Sequence, residues 1–298
     1  MNAVVVALPG NAALAAALAE RLQIEAGRLT MRRFPDGETY LRFDTPVSGR
    51  LVLLASGLHD PDAKTLGLLF AAATARELGA TAIGLVAPYL AYMRQDQRFR
   101  TGEGITSALF AQLVSRYVDW IVTVDPHLHR WKSLDDIYAI PSSVVAAAPL
   151  LADWIRRHVD SPVLIGPDAE SEQWVSAVAH LAGAPHVVLE KTRHGDHDVT
   201  VSIPDPRLLQ HRTPVLIDDI ISTASTMIAA IRQVSGHGMP PAVCVGVHAI
   251  FAGEAYTELL AAGAAQIVTT NTILHASNGI DINYAIADAV AAFSSGEL

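Results

Sequence analysis

The sequence predicts an α/β protein whose mostly parallel sheets are flanked by helices. Short apolar runs rich in valine, isoleucine and leucine alternate along the chain with helical segments of roughly 10–15 residues, as is typical of buried parallel strands joined by helices. The same order of elements recurs in the second half of the chain. With 298 residues, of which 51% are hydrophobic and 17% charged, the chain is long and apolar enough for two packed domains.

The individual elements follow from this alternation. Continuous apolar runs without a two-residue period indicate strands that are buried on both faces. In the first half we expect strands at 3–8, 51–56, 82–88 and 121–125, and helices at 13–22, 63–78 and 105–117. In the second half we expect strands at 163–168, 186–191, 215–219, 242–251 and 267–271, and helices at 170–182, 224–236 and 254–263.

The two halves resemble each other in the order of their elements. A strand, a loop, a helix and a second strand at 51–88 can be laid over 214–251, and IVTVD (121–125) corresponds to IVTTN (267–271). Any two α/β units share some of this pattern, but the repeated order together with the IVT motif favours a duplication. A boundary then falls near 140–148.

Composition excludes several classes of function. No apolar run reaches the ~20 residues that span a bilayer, and the alanine-rich segment at 11–20 has no basic region before it, so we expect neither a membrane span nor a signal peptide. Cys244 is the only cysteine, which excludes a disulfide framework and a multi-cysteine zinc site and indicates a cytoplasmic protein. The net charge is −9 without a long basic cluster, so no nucleic-acid partner is expected.

The stretch PVLIDDIISTASTM (214–227) carries the strongest chemical signal. Asp218 and Asp219 end an apolar run, and the hydroxyl residues Ser222, Thr223, Ser225 and Thr226 follow before a helix. Hydroxyls and backbone N–H groups at a helix N-terminus form an anion site, and the carboxylates suit ribose hydroxyls or hydrated Mg²⁺. A plain helix cap is the alternative, but one cap requires neither two acids nor four hydroxyls.

A second set of polar residues ends the strand at 121–125. Asp125, His127 and His129 alternate, so in an extended chain they share a face. They could hold a metal ion or contact a nucleotide, although Pro126 makes a strict strand doubtful. With no cysteine nearby, a hard metal bound through Asp and one His is favoured over a closed zinc site.

Three further loops contain polar residues. Arg94 and Gln95 follow the strand at 82–88 and could bind a phosphate and a base edge, although composition alone favours a solvated loop. Lys191 and Arg193 lie at the start of a polar segment, 190–198, which we expect to be mobile; as cations they could stabilise charge on a transferred phosphoryl group. The segment 57–65 ends like a phosphate-binding loop, but no glycine precedes Lys64, so it is not interpreted as one.

Seven motifs together resemble the ribose-phosphate pyrophosphokinase family. They run in that family's order over nearly the whole length: FPDGE (34–38), PYLAYMRQD (88–96), TVDPH (123–127), GPDAE (166–170), EKTR (190–193), DDIISTAST (218–226) and IVTTNTI (267–273). The resemblance is closer to archaeal-type members. It implies two tandem domains of the type I phosphoribosyltransferase fold, which we place at 1–143, with the ATP-binding motifs, and 144–298, with the ribose 5-phosphate loop.

The resemblance also implies an activity and a role for each motif. ATP and ribose 5-phosphate would give phosphoribosyl diphosphate (PRPP) and AMP with Mg²⁺ as cofactor, in a homo-oligomer of at least a dimer. ATP would contact Phe34, Asp36 and Glu38, from a neighbouring subunit, and Arg94 and Gln95. His127 and Asp168 would contact Mg²⁺ or its waters, and Lys191 and Arg193 would stabilise the transition state. Ribose 5-phosphate would bind Asp218, Asp219, Ser222, Thr223, Ala224, Ser225 and Thr226.

The ribose-phosphate loop departs from the usual family pattern at two positions. Ser222 stands where an aspartate is common, and Ser225 replaces a glycine that lets backbone N–H groups approach a phosphate closely. Two alternative functions therefore stay open: a catalytically inactive regulatory homologue, and a phosphoribosyltransferase that consumes PRPP. FPDGE and the RQD segment disfavour the second, because a simple transferase would carry only the ribose-phosphate loop.

Overall fold

The structure, a computed structural model, describes residues 2–167, 171–193, 199–202, 211–236 and 238–295. The chain forms two compact units. The first ends at Val145 and also contains the C-terminal helix, and the second comprises Ala146–Ile282. In the described part of the chain, no helix is both long and apolar enough to cross a membrane.

The first unit is built around a parallel six-stranded sheet. Its strands are β1 (Ala3–Ala7), β2 (Glu25–Gly27), β3 (Leu29–Arg33), β4 (Thr39–Phe43), β5 (Leu51–Ala55), β6 (Ala82–Ala87), β7 (Trp120–Val124) and β8 (Ser142–Val145). The sheet order is β2-β1-β5-β6-β7-β8, whereas β3 and β4 form a separate antiparallel hairpin. The helices between these strands are α1 (Ala12–Leu22), α2 (Pro61–Glu77) and α3 (Thr106–Val114).

The second unit repeats this plan. Its helices are α4 (Ala148–His158), α5 (Glu172–Ala182), α6 (Ser225–Ser235) and α7 (Ala255–Ala261). Its strands are β9 (Pro162–Gly166), β10 (His186–Val188), β11 (Glu190–Arg193), β12 (Val199–Ser202), β13 (Thr213–Ile221), β14 (Val243–Ala249), β15 (Gln266–Thr270) and β16 (Asn278–Ile280). The parallel sheet has the order β10-β9-β13-β14-β15-β16, and β11 and β12 form an antiparallel hairpin.

The two sheets have the same topology. Numbered within its own unit, each strand takes the same place in the two orders, and each hairpin lies between the second and third sheet strands along the chain. The four elements that match in sequence are by themselves weak evidence for a repeat. The identical strand order, together with a hairpin inserted at the same place in both units, supports the predicted duplication.

The final helix, α8 (Asn283–Ser295), belongs to the first unit. It packs against α1, β7 and β8, with the Phe293 ring stacked on Trp120 at 4.9 Å and an ion pair of 3.2 Å from Arg21 to Asp288. In the second unit α4 packs against α5 in the corresponding way. The chain divides near the predicted boundary, but the sequence-based second domain, 144–298, includes a helix that the structure groups with the first unit.

The central strands of both sheets are buried on both faces, as continuous apolar runs require. Val52, Leu53 and Leu54 of β5 are fully buried, as are Val215, Leu216 and Ile217 of β13. All the strands and helices expected from sequence are present, with ends shifted by a few residues where the structure describes them. The expected strand at 186–191 is in fact two, because β10 ends at Val188 and β11 begins a hairpin at Glu190.

Candidate functional site

The two aspartates of the second unit lie inside a strand rather than after it. β13 continues to Ile221, and Asp218 faces Gly246 across the ladder to β14. Residues 214–217 of the strand are buried, whereas Asp218 and Asp219 are half-buried, so the two carboxylates occur where the strand becomes partly accessible. The backbone N–H of Asp219 donates to Asp218 Oδ1 at 3.0 Å, which fixes the first carboxylate against the chain.

The hydroxyl loop connects this strand to α6. Ala224, at the N-cap position, is left-handed with φ 55°, and no side chain caps the helix. The helix-cap alternative is therefore wrong, because the N-cap residue carries only a methyl group. Ser225 begins the helix and donates its hydroxyl to Thr223 Oγ1 at 3.2 Å. The loop is braced on its other side by a hydrogen bond of 3.1 Å from the Ala252 N–H to the Ser222 carbonyl.

These observations also explain how Ser225 fits where the family has glycine. Ser225 is the first residue of α6, and a helical backbone accommodates any L-residue except proline without strain. The position that requires a left-handed backbone is Ala224 instead. The family resemblance indicated a departure at Ser225, but the residue with a left-handed backbone lies one position earlier.

The FPDGE segment forms the turn of the β3–β4 hairpin. The Phe34 N–H donates to the Glu38 carbonyl at 2.8 Å, and the turn is completed by Gly37 at φ +94° and by the Glu38 N–H bonding Asp36 Oδ1 at 3.3 Å. Phe34, Asp36 and Glu38 are all exposed. A tight turn therefore presents one aromatic ring and two carboxylates to the surroundings on a fixed backbone.

The RQD segment is anchored rather than freely solvated. Arg94 is exposed, but the next residue, Gln95, accepts a hydrogen bond of 3.1 Å from the Thr106 hydroxyl. Asp96 is 5% exposed and forms an ion pair of 2.9 Å with Arg130. The solvated-loop alternative is wrong, and Arg130 is a supporting residue that the sequence alone did not reveal.

Tyr92 ties the same segment to the start of α2. Its hydroxyl donates to the Asp62 carboxylate, and this hydrogen bond, with partial burial, raises the pKa of Tyr92 to about 12. The backbone of Tyr92 is left-handed at φ 62°. A strained residue held by a charge-assisted hydrogen bond just before Arg94 indicates that the direction of this loop is fixed.

The histidines after β7 are brought together as their spacing predicts. The His127 and His129 rings lie 3.9 Å apart, with His127 half-buried and His129 exposed. Asp125 has φ 31°, so the chain turns here and the strict strand that Pro126 made doubtful is absent from this part of the described chain. Asp168 lies outside the described residues.

Lys191 and Arg193 lie in a strand, not in the mobile loop expected from sequence. Lys191 pairs with Val201 and Arg193 with Val199, in the antiparallel ladder between β11 and β12. The rest of the expected loop, 194–198, lies outside the described residues. The hairpin gives these two positions a defined backbone in a two-stranded ladder that is separate from the main sheet.

Comparison with known proteins identifies the family. Residues 3–117 match the model for the N-terminal domain of ribose phosphate pyrophosphokinase, and residues 133–284 match the model for the phosphoribosyl transferase domain. The ribose-phosphate pyrophosphokinase of Methanopyrus kandleri is 32% identical over 289 residues, which cover 96% of this chain and 98% of the relative. The chain belongs to the ribose-phosphate pyrophosphokinase family.

Other members of the family agree with this assignment. The ribose-phosphate pyrophosphokinase of Halobacterium salinarum is 33% identical over 283 residues, covering 94% of this chain and 96% of the relative. The crystal structure of phosphoribosylpyrophosphate synthetase from Mycobacterium smegmatis has a TM-score of 0.87 at 24% identity, covering 99% of this chain and 100% of that one. This structural likeness confirms the predicted fold of two tandem phosphoribosyltransferase-like domains.

Proposed function

We propose that this protein transfers the diphosphoryl group of ATP to O1 of ribose 5-phosphate, which gives PRPP and AMP for nucleotide biosynthesis. One observation carries the proposal: two half-buried carboxylates at the end of β13 are followed by an uncapped helix start with four hydroxyl residues. Membership in the ribose-phosphate pyrophosphokinase family over almost the full chain supports the choice of substrates.

The β13–α6 segment is suited to a sugar phosphate. Asp218 and Asp219 accept hydrogen bonds from the ribose hydroxyls, since ionised carboxylates are strong acceptors. The unbonded N–H groups at the start of α6 face the 5-phosphate together with the hydroxyls of the loop, and the left-handed turn at Ala224 curves successive N–H groups around an anion. The phosphate-binding residues are Ser222, Thr223, Ala224, Ser225 and Thr226.

ATP is held by exposed groups on the first unit. Phe34 offers a flat apolar face to adenine, and Asp36 and Glu38 accept hydrogen bonds from its amino group or from the ribose. Because these three side chains point outward on a hairpin turn, we propose that they serve the ATP of a neighbouring subunit in a homo-oligomer. Arg94 and Gln95 bind ATP on an anchored loop, with the guanidinium suited to phosphate oxygens.

Mg²⁺ is the proposed cofactor. At the end of β7, a carboxylate, Asp125, is followed by the half-buried imidazole of His127, a donor set that suits a hard cation with several retained waters better than a closed zinc site. We propose that His127 and Asp168 hold Mg²⁺ or its waters. Bound Mg²⁺ would neutralise charge on the phosphate oxygens, as an acidic protein requires.

Catalysis rests on positioning and on charge. The ribose O1 attacks the β-phosphorus in line while AMP leaves, a transfer that needs little covalent participation from the protein. Lys191 and Arg193 stabilise the negative charge that develops on the transferred group. The backbone of β11 supplies a defined arm that carries both residues.

Two alternatives predict different reaction products. An inactive regulatory homologue would have no requirement for Lys191, Arg193, His127 and Asp168, all of which this chain has. A PRPP-consuming transferase would lack the FPDGE and RQD motifs. We also propose a cytoplasmic location, because the single cysteine, Cys244, is buried and free.

The test is a product assay on the purified full-length chain. ATP, MgCl₂ and ribose 5-phosphate are supplied, and AMP and PRPP are followed by chromatography, with a reaction lacking ribose 5-phosphate as control for ATP hydrolysis. We expect AMP and PRPP in equal amounts. A folded sample that forms neither would contradict the proposal and favour the regulatory homologue, and consumption of added PRPP with a nucleobase would favour the transferase.

A further inference from the structure

The first unit contains a crevice that the proposed function does not use. In its sheet the chain passes from β1 to β2 on one side and later continues from β5 to β6 on the other, so the direction of winding reverses between β1 and β5. Ligands of open parallel sheets bind beyond the carboxyl ends of the strands at such a reversal. Leu8 follows β1 here, and Ser56 follows β5.

The crevice is held open by a polar bridge. The side chain of Asn11 accepts a hydrogen bond of 2.7 Å from the Gly57 N–H and donates one of 3.0 Å to the Pro9 carbonyl. One side chain thus ties the loop after β1 to the loop after β5. The Asn11 side chain connects the two loops at a fixed distance and leaves the crevice between the strand ends open.

A cavity of about 210 Å³ occupies this crevice, between the strand ends, the β3–β4 hairpin and the start of α2. Three cations line it, and no carboxylate is among the lining residues in the described part of the chain. Apolar side chains cover one part of the wall. The principal lining residues are Leu8, Met31, Arg32, Arg33, Ser56 and Lys64.

Lys64 lies near the N-terminus of α2, where the helix dipole makes a cation unfavourable unless an anion is near. It ends the first turn of α2, close to the positive end of the helix dipole, and it is half-buried. Its ammonium donates to the Gly57 carbonyl at 3.2 Å and lies 2.9 Å from His59 Nε2. Of its three N–H groups, the third has no partner among the described residues.

The groups around Lys64 affect both its pKa and its capacity to donate hydrogen bonds. Burial lowers the pKa of Lys64, and burial together with the nearby ammonium lowers the pKa of His59. The lowered pKa favours the neutral imidazole, whose Nε2 is then an acceptor for the ammonium. Asp60 acts in the opposite direction and raises the pKa of Lys64, but burial is the larger effect, and the two residues form no ion pair in the described structure.

Ser56 supplies an independent sign of a ligand. It is 1% exposed and lines the cavity, and its Oγ has no hydrogen-bond partner within the described part of the chain. A buried hydroxyl without a partner is destabilising, so natural proteins rarely leave one. A polar group of a bound molecule in the cavity would satisfy it.

Arg33 brings a further cation to the same space, whereas the guanidinium of Arg32, the preceding residue of β3, lies on the opposite face of the strand. Arg33 donates to the carbonyls of Gly37 and Ala63, each at 3.2 Å, and so connects the hairpin to α2. Arg32 lies over the rings of Phe34 and Tyr40, at 4.7 and 4.5 Å from their centroids. Among the described residues, neither guanidinium forms an ion pair with a carboxylate.

We propose that this cavity binds a small phosphate monoester. Guanidinium and ammonium donors with a buried hydroxyl match the several oxygens of a phosphate group, and the volume and the apolar wall at Leu8 and Met31 leave room for a compact organic part. Phe34, Asp36 and Glu38 do not line the cavity, although Arg32 at its wall contacts the Phe34 ring, so the site is adjacent to the proposed ATP contacts and does not include them. The segment 57–65 thus contributes to anion binding without a phosphate-loop motif.

The test uses phenylphosphonate, a non-hydrolysable phosphate-monoester analogue, titrated into the full-length protein by calorimetry. We expect one site per chain that persists in Thr226→Val, where the proposed ribose-phosphate loop is weakened, with inorganic phosphate binding more weakly at this site because it lacks the apolar part. Lys64→Met should weaken binding about tenfold, as loss of a charge-assisted hydrogen bond does. Lys132→Met, at an exposed lysine outside the cavity, is the matched control and should bind normally.

Ser56→Ala separates a ligand role from a structural one. Removing an unpartnered buried hydroxyl should leave the melting temperature unchanged or raise it, while phenylphosphonate binding weakens several-fold. If the serine were structural, melting temperature and binding would fall together. No binding to the wild type, or unchanged binding in both Lys64→Met and Ser56→Ala, would overturn the proposal. Binding lost in Thr226→Val instead would place the probe in the ribose-phosphate loop and also overturn it.

Discussion

The two units of this chain share one strand order but differ in chemistry at the same place. In the first unit the crevice between β1 and β5 is lined by Lys64, Arg32 and Arg33. In the second unit, β13, which corresponds to β5, contains Asp218 and Asp219 near its end and is followed by a loop of hydroxyls. We infer that the shared topology places a ligand at the same edge of each sheet, and that the side chains at that edge determine which ligand binds.

The two hairpins show the same divergence. Counting back from the last residue of β3 and of β11, Arg33 corresponds to Arg193, and Met31 corresponds to Lys191. Both arms keep an arginine at the strand end. Only the second unit has a lysine two residues earlier, which is the position expected to act on the transferred diphosphoryl group.

The largest effect is expected from Lys191→Ala. Loss of a cation that stabilises transition-state charge should lower kcat at least ~100-fold, with little change in the melting temperature, because the position lies on a hairpin outside the sheet. Steady-state formation of AMP gives kcat. Met31→Ala, at the corresponding position of the first unit, is the comparison and should keep kcat within a few-fold. Turnover near the wild-type value in Lys191→Ala would refute its role.

A second contrast concerns two glycines at corresponding strands. A Cβ on Gly84 of β6 would overlap the indole of Trp120, a rigid ring already stacked on Phe293. A Cβ on Gly246 of β14 would meet Ile221 Cδ1 at 2.6 Å, the flexible end of an aliphatic chain. The Trp120 ring can therefore move away from an added Cβ less easily than the Ile221 side chain can.

We therefore expect Gly84→Ala to lower the free energy of unfolding by about 3 kcal/mol and Gly246→Ala by about 1 kcal/mol, since overpacking is costly where side chains cannot move. Urea unfolding followed by tryptophan fluorescence and by circular dichroism measures both variants. Equal losses would show that the α8 contact with Trp120 is looser than the structure indicates. A larger loss in Gly246→Ala would reverse the comparison.

The acid pair should act on the sugar rather than on the nucleotide. Asp219→Asn keeps the shape of the side chain but removes a charged acceptor, so the KM for ribose 5-phosphate should rise about tenfold while the KM for ATP changes little. Asp160→Asn, at an exposed aspartate of the same unit, is the matched control. A rise confined to the KM for ATP would move Asp219 to the nucleotide side of the site.

Much of the sheet could be predicted from the sequence because buried parallel strands are continuous apolar runs. The hairpins were not predicted, because their strands are not continuous apolar runs. β3 (LTMRR) and β4 (TYLRF) are short, half-exposed and mixed in polarity, so their pairing depends on the turn at 34–38 rather than on periodicity. FPDGE was recognised as a motif, but only the structure shows that it is a hairpin turn.

Two other features depend on contacts that no local pattern contains. The place of α8 is set by α1 at the other end of the chain, so a boundary drawn from linear order could not include it in the first unit. The basic cavity combines Leu8, Arg33 and Lys64 from three separate segments. From the sequence alone, residues 57–65 only resembled the end of a phosphate-binding loop without matching its motif.

The smallest predicted effect concerns the residue before each loop helix. Ala224 precedes α6 at φ 55°, and Asp60 precedes α2 at φ 53°. Alanine in the left-handed region is strained by about 1 kcal/mol, whereas aspartate tolerates that region better. Ala224→Gly should therefore raise the free energy of unfolding by about 0.5 kcal/mol, after the larger entropy of glycine in the unfolded chain is subtracted.

Two matched glycine variants make this prediction sharper. Asp60→Gly should bring no gain, because it also removes a negative charge from the start of α2. Ser225→Gly should lose about 0.5 kcal/mol, because Ser225 is already helical and glycine is the poorer helix former. Urea unfolding of the three variants decides the matter. A higher free energy of unfolding in Ser225→Gly, but not in Ala224→Gly, would contradict this prediction. It would mean that the left-handed turn lies at Ser225, one residue later than in the structure, and that the loop is stabilised by glycine at that position.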